Sequence, residues 1–319
     1  MSPLINLARP EVSVVIVTYN GEPWVRNCLN SLLSQLGQLH VVVVDNASSD
    51  ETCRIIEAEY PAVQLVRGAE NIGFGLGNNI GIRLAMARGA RYVFLLNQDA
   101  YALPGSIDQL TAFMDAHPEF GVASPLQCSP DADHVDAKTQ RGYLSPYAQP
   151  YLADACMGRI AQHYVVHGLN AAAWFIRTET FKTAGGFDPL FFMYGEDDDL
   201  LMRWKHHGVK FVLLPAIRVV HLRQSVVAPR PTIWQDIARR AERRRSEMLV
   251  AIKHPAFSLH HMLLVGFAEG WLVPFAELLV RRNWRDYVAA CYAACRVLCE
   301  IRHIYHHGML SGKRGAHFL

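Results

Sequence analysis

An α/β fold is predicted: a doubly wound, mostly parallel sheet flanked by helices, with a C-terminal helical appendage. Two observations carry it. Apolar runs at residues 12–17, 41–44 and 92–96 are too short for buried helices and too continuous for half-exposed strands, so they read as strands covered on both faces. Helical periods separate them: Trp24, Val25, Cys28, Leu29, Leu32 and Leu33 share one face, and Ile80, Leu84 and Ala87 are expected to point inward from a helix over 77–88. Strand–helix alternation at this spacing is the pattern of parallel strands joined by crossover helices.

Taken in order, the first strand leads through Thr18, Tyr19 and Asn20 into the first helix, and the second ends at Asp45. Ser48, with Glu51 three residues later, is a capping box that starts the next helix. Residues 64–67 form a short strand and 77–88 a helix. Residues 128–165 lack a clear period and read as an irregular insertion on the substrate side. Strand 171–177, a short helix 178–184 stopped by Gly185 and Gly186, and a late strand 210–214 follow. Beyond Pro231 the chain is helical. The expected division is a catalytic domain over 1–228, with a nucleotide-binding half of about 10–100 and an acceptor half of about 101–228. A basic helical region over 229–319 completes it.

The chain has 319 residues, 51% of them hydrophobic, enough for a large core. Its net charge of +2 is unevenly placed: residues 1–217 carry 15 Lys and Arg against 22 Asp and Glu, and residues 218–319 carry 16 against 7. A basic tail on an acidic domain points to an anionic partner, a membrane surface or a phosphorylated acceptor. Nucleic acid is disfavoured, because no zinc-finger, helix-turn-helix or RNP signature accompanies the arginines. The seven cysteines include no C-x-x-C pair; Cys291, Cys295 and Cys299 recur every four residues as a helix stripe, read as buried thiols in a reducing cytosol. The N-terminus lacks a basic region followed by an apolar core, so no signal peptide is indicated.

Residues 259–280 are long enough to cross a bilayer but contain His260, His261, Glu269, Pro274 and Glu277. Charges near a bilayer centre are costly, which argues against a full span. A helix lying on an anionic leaflet, flanked by arginines at 239–245 and 281–285, and plain packing on the catalytic domain both remain open.

Three acidic loops follow apolar runs. Asp45 and Asp99 stand at strand C-termini, the edge where open α/β sheets bind ligands, and carboxylates there point to a metal ion and a phosphorylated substrate. Asp45 reads equally as turn chemistry or as an acceptor for a nucleoside. Asn97 beside Asp99 would keep the site's charge low. The 71–78 segment is G-x-G-x-G rather than a dinucleotide fingerprint; its glycines permit close approach to a ligand or to a neighbouring segment. Glu196, Asp197, Asp198 and Asp199 open a helix. Such acids suit the helix dipole, and Asp199 can pair with Arg203, yet four together repel. One of them with a raised pKa would suit a general base for a sugar hydroxyl. His221 reads as packed or metal-bound, and nearby Arg223 could neutralise a leaving diphosphate.

In order, the blocks VSVVIVTYNG, VVVVDNASSDET, NIGFGLGNNIGI, YVFLLNQDA, GGFDPLFFMYGEDDDLLMR and VVHLRQS resemble those of the family-2 glycosyltransferases of GT-A fold, in particular their rhamnosyltransferase-like branch. The resemblance covers about residues 12–226. It implies a metal-dependent, inverting transfer from a nucleotide-diphosphate sugar, with deoxythymidine-diphosphate rhamnose suggested by the branch alone. The hydroxyl acceptor would belong to a cell-surface polysaccharide or a lipid-linked glycan. It implies donor contacts from Thr18, Tyr19, Asn20, Asp45 and Asn78, to which Asn97 and Arg223 are added as donor-side candidates, and Mg²⁺ or Mn²⁺ on Asp99 and His221. Catalysis would fall to Asp197, the base, in its pair with Glu196. Such an enzyme would be cytoplasmic or peripheral on the inner face of the cell membrane. Two positions depart from the family: Gln98 stands where Pro is usual, and Asn170 where Gly-Ala precedes the apolar run. A sugar nucleotidyltransferase would want a basic glycine-rich loop after the first strand, which VTYNGEPW lacks. A non-catalytic carbohydrate- or lipid-surface module on the same scaffold would not need the acidic pair.

Overall fold

The computed structural model describes residues 11–33, 39–223 and 231–319. Among them nine strands make one sheet: β1 (Val12–Thr18), β2 (Leu39–Asp45), β3 (Gln64–Arg67), β4 (Tyr92–Leu96), β5 (Ala100–Ala102), β6 (Val122–Cys128), β7 (Tyr164–Val166), β8 (Ala173–Arg177) and β9 (Phe211–His221). The order is β3-β2-β1-β4-β8-β6-β9-β5, with β7 also on β9. The first four strands are parallel, as their crossover helices Val25–Asn30, Thr52–Glu59 and Phe74–Ala87 require. The later half is mixed. β8 runs against β4 and β6, while β6 and β9 are parallel.

Three strands were not expected from the sequence. β6 (VASPLQC) has small polar residues and a proline instead of a β-branched run, yet every residue is buried. Its register with β9 jumps between Pro125 and Leu126, from partner Leu214 to partner Arg218. Pro215 of β9 falls inside that irregularity, where no ladder bond is asked of it. β9 therefore continues to His221 instead of stopping at 214, and its far end pairs with the short β5. The 128–165 insertion is more ordered than expected, with helix Gln149–Cys156 and strand β7.

The expected capping box at Ser48 and Glu51 does not form. The helix starts at Thr52 without a side-chain cap, and Ser48 turns back to Asp45 instead. A capping box does form later, where Thr232 and Gln235 begin helix Ile233–Ile252.

By contacts the chain forms two compact units, residues 183–208 joining the C-terminal helices rather than the sheet. The junction expected at 228/229 lies outside the described residues. The first unit holds the whole sheet and its core, from Val14 and Ile16 through Phe94, Phe175 and Val219. The second packs Phe191, Met248, Leu249, Ile252, Met262, Ala294, Val297 and Ile304 together. Two readings of that region fail. Cys295 and Cys299 are exposed, so the cysteine stripe is not a buried one. Only 11% of the most apolar window of 259–280 is buried, so plain core packing does not describe that helix.

Candidate active site

At the parallel end of the sheet, Thr18 and Asp45 are register partners on β1 and β2. Thr18 Oγ1 donates to Asp45 Oδ1 at 2.8 Å, and the Ser48 amide donates to Oδ2 at 2.9 Å. Asp45 thus ties two loops together at the ligand edge. Asn20 takes a left-handed φ of 47°, its amide donating to Ser48 Oγ and its Oδ1 accepting from the Ser49 amide. Tyr19 is half exposed, and its backbone is clasped by Gln98, whose Oε1 accepts from the Tyr19 amide at 3.0 Å and whose Nε2 donates to the Tyr19 carbonyl. The residue that replaces the usual proline therefore stitches two site loops together.

Asn78 is buried and donates to the Phe74 carbonyl of its own helix. For Gly77, the open question about the 71–78 glycines is answered by packing, and Gly81 beyond the segment behaves alike. A Cβ on Gly77 would lie 2.9 Å from Val17, and one on Gly81 would lie 2.2 Å from Val15, so these glycines seat the helix on β1. Sequence reasoning missed Asn46. Its Nδ2 donates to the Gly73 carbonyl and its Oδ1 is buried without a partner, as is Oδ1 of Asn97. The available signal was adjacency to Asp45 at a strand end.

The β5–β9 ladder brings Asp99 to His221. Ala100 pairs with His221, the Leu222 amide donates to the Asp99 carbonyl, and His221 Nε2 lies 3.3 Å from Asp99 Oδ1. His221 is buried and its Nδ1 has no partner. Among the described residues no three His, Cys, Asp or Glu gather as a metal cluster. One carboxylate and one imidazole fit a divalent ion that takes its other ligands from substrate oxygens and water. Arg223 is engaged elsewhere, its Nε donating to Asp136 Oδ2 at 3.0 Å and its Nη2 to Thr139 Oγ1.

The acidic run lies in the second unit. Gly195, at φ 80°, precedes helix Glu196–His206, so all four acids occupy its first turn. They are not equivalent. Asp199 is fully buried, bonded by Arg203 at 2.7 Å as its spacing predicted, and also by Lys253. Lys253 reaches Asp188 at 2.8 Å, and Asp188 Oδ1 meets His307 Nδ1 at 2.7 Å. Burial alone would raise the Asp188 carboxyl, but His307 and Lys253 outweigh it and hold it below the usual range. This buried network gives Asp199 a structural part. Glu196 is buried with Oε2 unpartnered, and burial followed by the charge of Asp197 pushes its carboxyl up to about 8. Asp197 is half-buried, its Oδ1 accepting from the Asp198 amide at 3.1 Å.

A mixed sheet whose parallel edge gathers Thr18, Asp45 and Asp99, with an acidic helix start on a separate unit, is the architecture of GT-A sugar transferases. Solved structures agree on the fold. S. aureus TarS 1-349 in complex with UDP-GlcNAc superposes with a TM-score of 0.55 at 17% identity, over 95% of this chain and 88% of that one. GalNAc-T7 with UDP, GalNAc and Mn²⁺ gives 0.52 at 14% identity, over 78% and 51%. The family model described as glycosyl transferase family 2 matches residues 13–169. The N-acetylglucosaminyl-diphospho-decaprenol L-rhamnosyltransferase of Mycobacterium tuberculosis is 31% identical over 229 residues, 65% of this chain and 75% of the relative. The dTDP-rhamnosyl transferase RfbF of Shigella flexneri is 24% identical, over 66% and 68%. The chain belongs to glycosyl transferase family 2, and it is a glycosyltransferase.

Proposed function

We propose that this enzyme is a metal-dependent, inverting transferase that moves rhamnose from a deoxythymidine-diphosphate donor to a hydroxyl of a lipid-linked or cell-surface glycan. It works in the cytoplasm or at the inner face of the cell membrane. The named activities of the mycobacterial and Shigella relatives support the sugar and the acceptor class. The observation that carries the chemistry is the pair Glu196–Asp197 at a helix start: Glu196 is buried with its carboxyl pushed up to about 8, while the adjacent Asp197 is only half-buried.

In this reading Asp197 accepts the acceptor hydroxyl's proton as the oxygen attacks the anomeric carbon from the face opposite the diphosphate. The carbon–oxygen bond to the diphosphate breaks, and its electron pair leaves with that group. Asp99 and His221 hold Mg²⁺ or Mn²⁺, which when bound offsets the diphosphate's charge. Thr18, Tyr19, Asn20, Asp45, Asn78 and Asn97 shape the nucleoside side. Arg223 serves by fixing Asp136 beside the β9 end, a positioning part rather than direct donor contact.

Asp197→Asn is the test. Transfer should fall by about 10²-fold or more while donor affinity, read by calorimetry, stays within about twofold. Wild-type-like turnover in that variant would remove the assigned base.

A further inference from the structure

Residues 259–281 form one helix, Leu259–Phe267 running through a π turn at Ala268–Leu272 into Val273–Arg281. Every exposed position between Met262 and Val280 is Leu, Val, Phe or Ala, with Leu279 65% and Val280 83% exposed. The two carboxylates that argued against a full span are turned onto protein. Glu269 Oε2 accepts from Arg244 Nη2 at 3.1 Å, and Glu277 lines a small cavity with Asn283, Asp286 and Tyr287. Opposite the apolar side, buried Gly270 sits so close to helix Trp284–Cys299 that an added Cβ would lie 2.8 Å from the Ala294 methyl. The helix therefore has one side on protein and one uncharged side open.

Its neighbours extend this surface. The most exposed positions of helix Trp284–Cys299, namely Trp284, Val288, Tyr292, Cys295, Leu298 and Cys299, carry no charge, while Arg285, Asp286 and Arg296 of the same helix are partly exposed. Arg240 bridges to Asp286 at 2.6 Å, joining the start of that helix to the one bearing exposed Trp234, Arg239 and Arg243, the two arginines lying 3.9 Å from Asp236 and 3.2 Å from Glu247. Exposed Arg282 follows the apolar helix directly. Residues 218–319 carry nine more basic than acidic groups.

We propose that this surface seats the protein on an anionic lipid leaflet, helix 259–281 lying in the interface plane with its open side among acyl chains and the arginines among headgroups. The rim chooses the occupant: two copies meeting face to face would oppose like charges, whereas acidic headgroups complement them. The proposal names the membrane partner of the transferase reading above, and it is read without turnover, so either can fail alone.

The test is co-sedimentation of the full chain with vesicles of phosphatidylcholine, with and without phosphatidylglycerol, together with maleimide labelling. Binding should require phosphatidylglycerol and weaken with salt. The double variant Phe275→Asp, Leu279→Asp should lower partitioning at least about tenfold, ~1.4 kcal/mol, with circular dichroism and melting unchanged. Arg239→Gln with Arg243→Gln should flatten the salt dependence. Vesicles should slow labelling of exposed Cys295 and leave exposed Cys156 as reactive as before. Undiminished binding by the aspartate pair would overturn the proposal. So would a dimer in lipid-free solution that the same pair dissociates, which would make this face a contact between copies.

Discussion

Glu196 and Asp197 are adjacent in the chain, and the charge of Asp197 adds to burial in raising the Glu196 carboxyl. With its folded pKa raised from 4.5 to about 8, Glu196 keeps a proton that the unfolded chain has already released in that interval. The unfolded state then binds fewer protons, so stability falls as pH rises from about 4.5 toward about 8. Glu196→Gln should flatten that slope, measured as melting temperature against pH; an unchanged slope would mean the proton sits elsewhere. At the sheet edge, Asp99→Ala should weaken Mn²⁺-dependent donor binding about tenfold or more and leave metal-free binding unaltered. Equal losses with and without metal would make Asp99 a loop-shaping residue. Asp45 and Gln98 show how much of such an edge is loop architecture, since both spend their side-chain bonds on neighbouring loops.

Among the elements, helix Phe74–Ala87 packs on the sheet through glycines with no room for a side chain. Its Gly77 was legible as a site of close approach, but whether to a ligand or to protein depended on which strand lay beneath, and Gly81 was not singled out. Gly81→Ala should cost about 1–3 kcal/mol by overpacking Val15, and Val15→Ala should recover part of it in the double variant. Additive losses in urea denaturation would contradict that contact. The same scale explains the missed strands. β6 has no period of its own because its burial is imposed by β8 and β9 on its two edges, and Pro215 hid the far half of β9. Without that half, Asp99 and His221 have no visible reason to meet.

At the scale of the whole molecule, the second unit is organised around charge rather than apolar packing alone. Lys253 is fully buried between Asp188 and Asp199, which lie 65 and 54 residues earlier in the chain. Lys253→Met would leave two buried carboxylates without their shared cation and should cost about 3–5 kcal/mol in denaturation. Little loss would mean water reaches the site. Because Asp199 begins the helix that carries Glu196 and Asp197, this network links the C-terminal region to the acidic run, and it accounts for the grouping of 183–208 with the C-terminal helices.

Local rules were enough for the parallel half of the sheet, the presence of the crossover helices, the Asp199–Arg203 pair and the acids at strand ends, because each is set by side-chain period or by residues within one helical turn. The face read as inward on the third helix, Ile80, Leu84 and Ala87, is not the buried one, which carries Gly77, Gly81, Ile82 and Ala85. Ordered blocks were enough for the family. What only the folded chain decided was long-range. It decided that β5 meets β9 across more than a hundred residues, that one acid of four is locked by a distant lysine, and that Glu269 turns to Arg244 while the open side of its helix stays apolar. Burial and pairing between distant segments carry no period along the chain, so they become visible only when the segments meet.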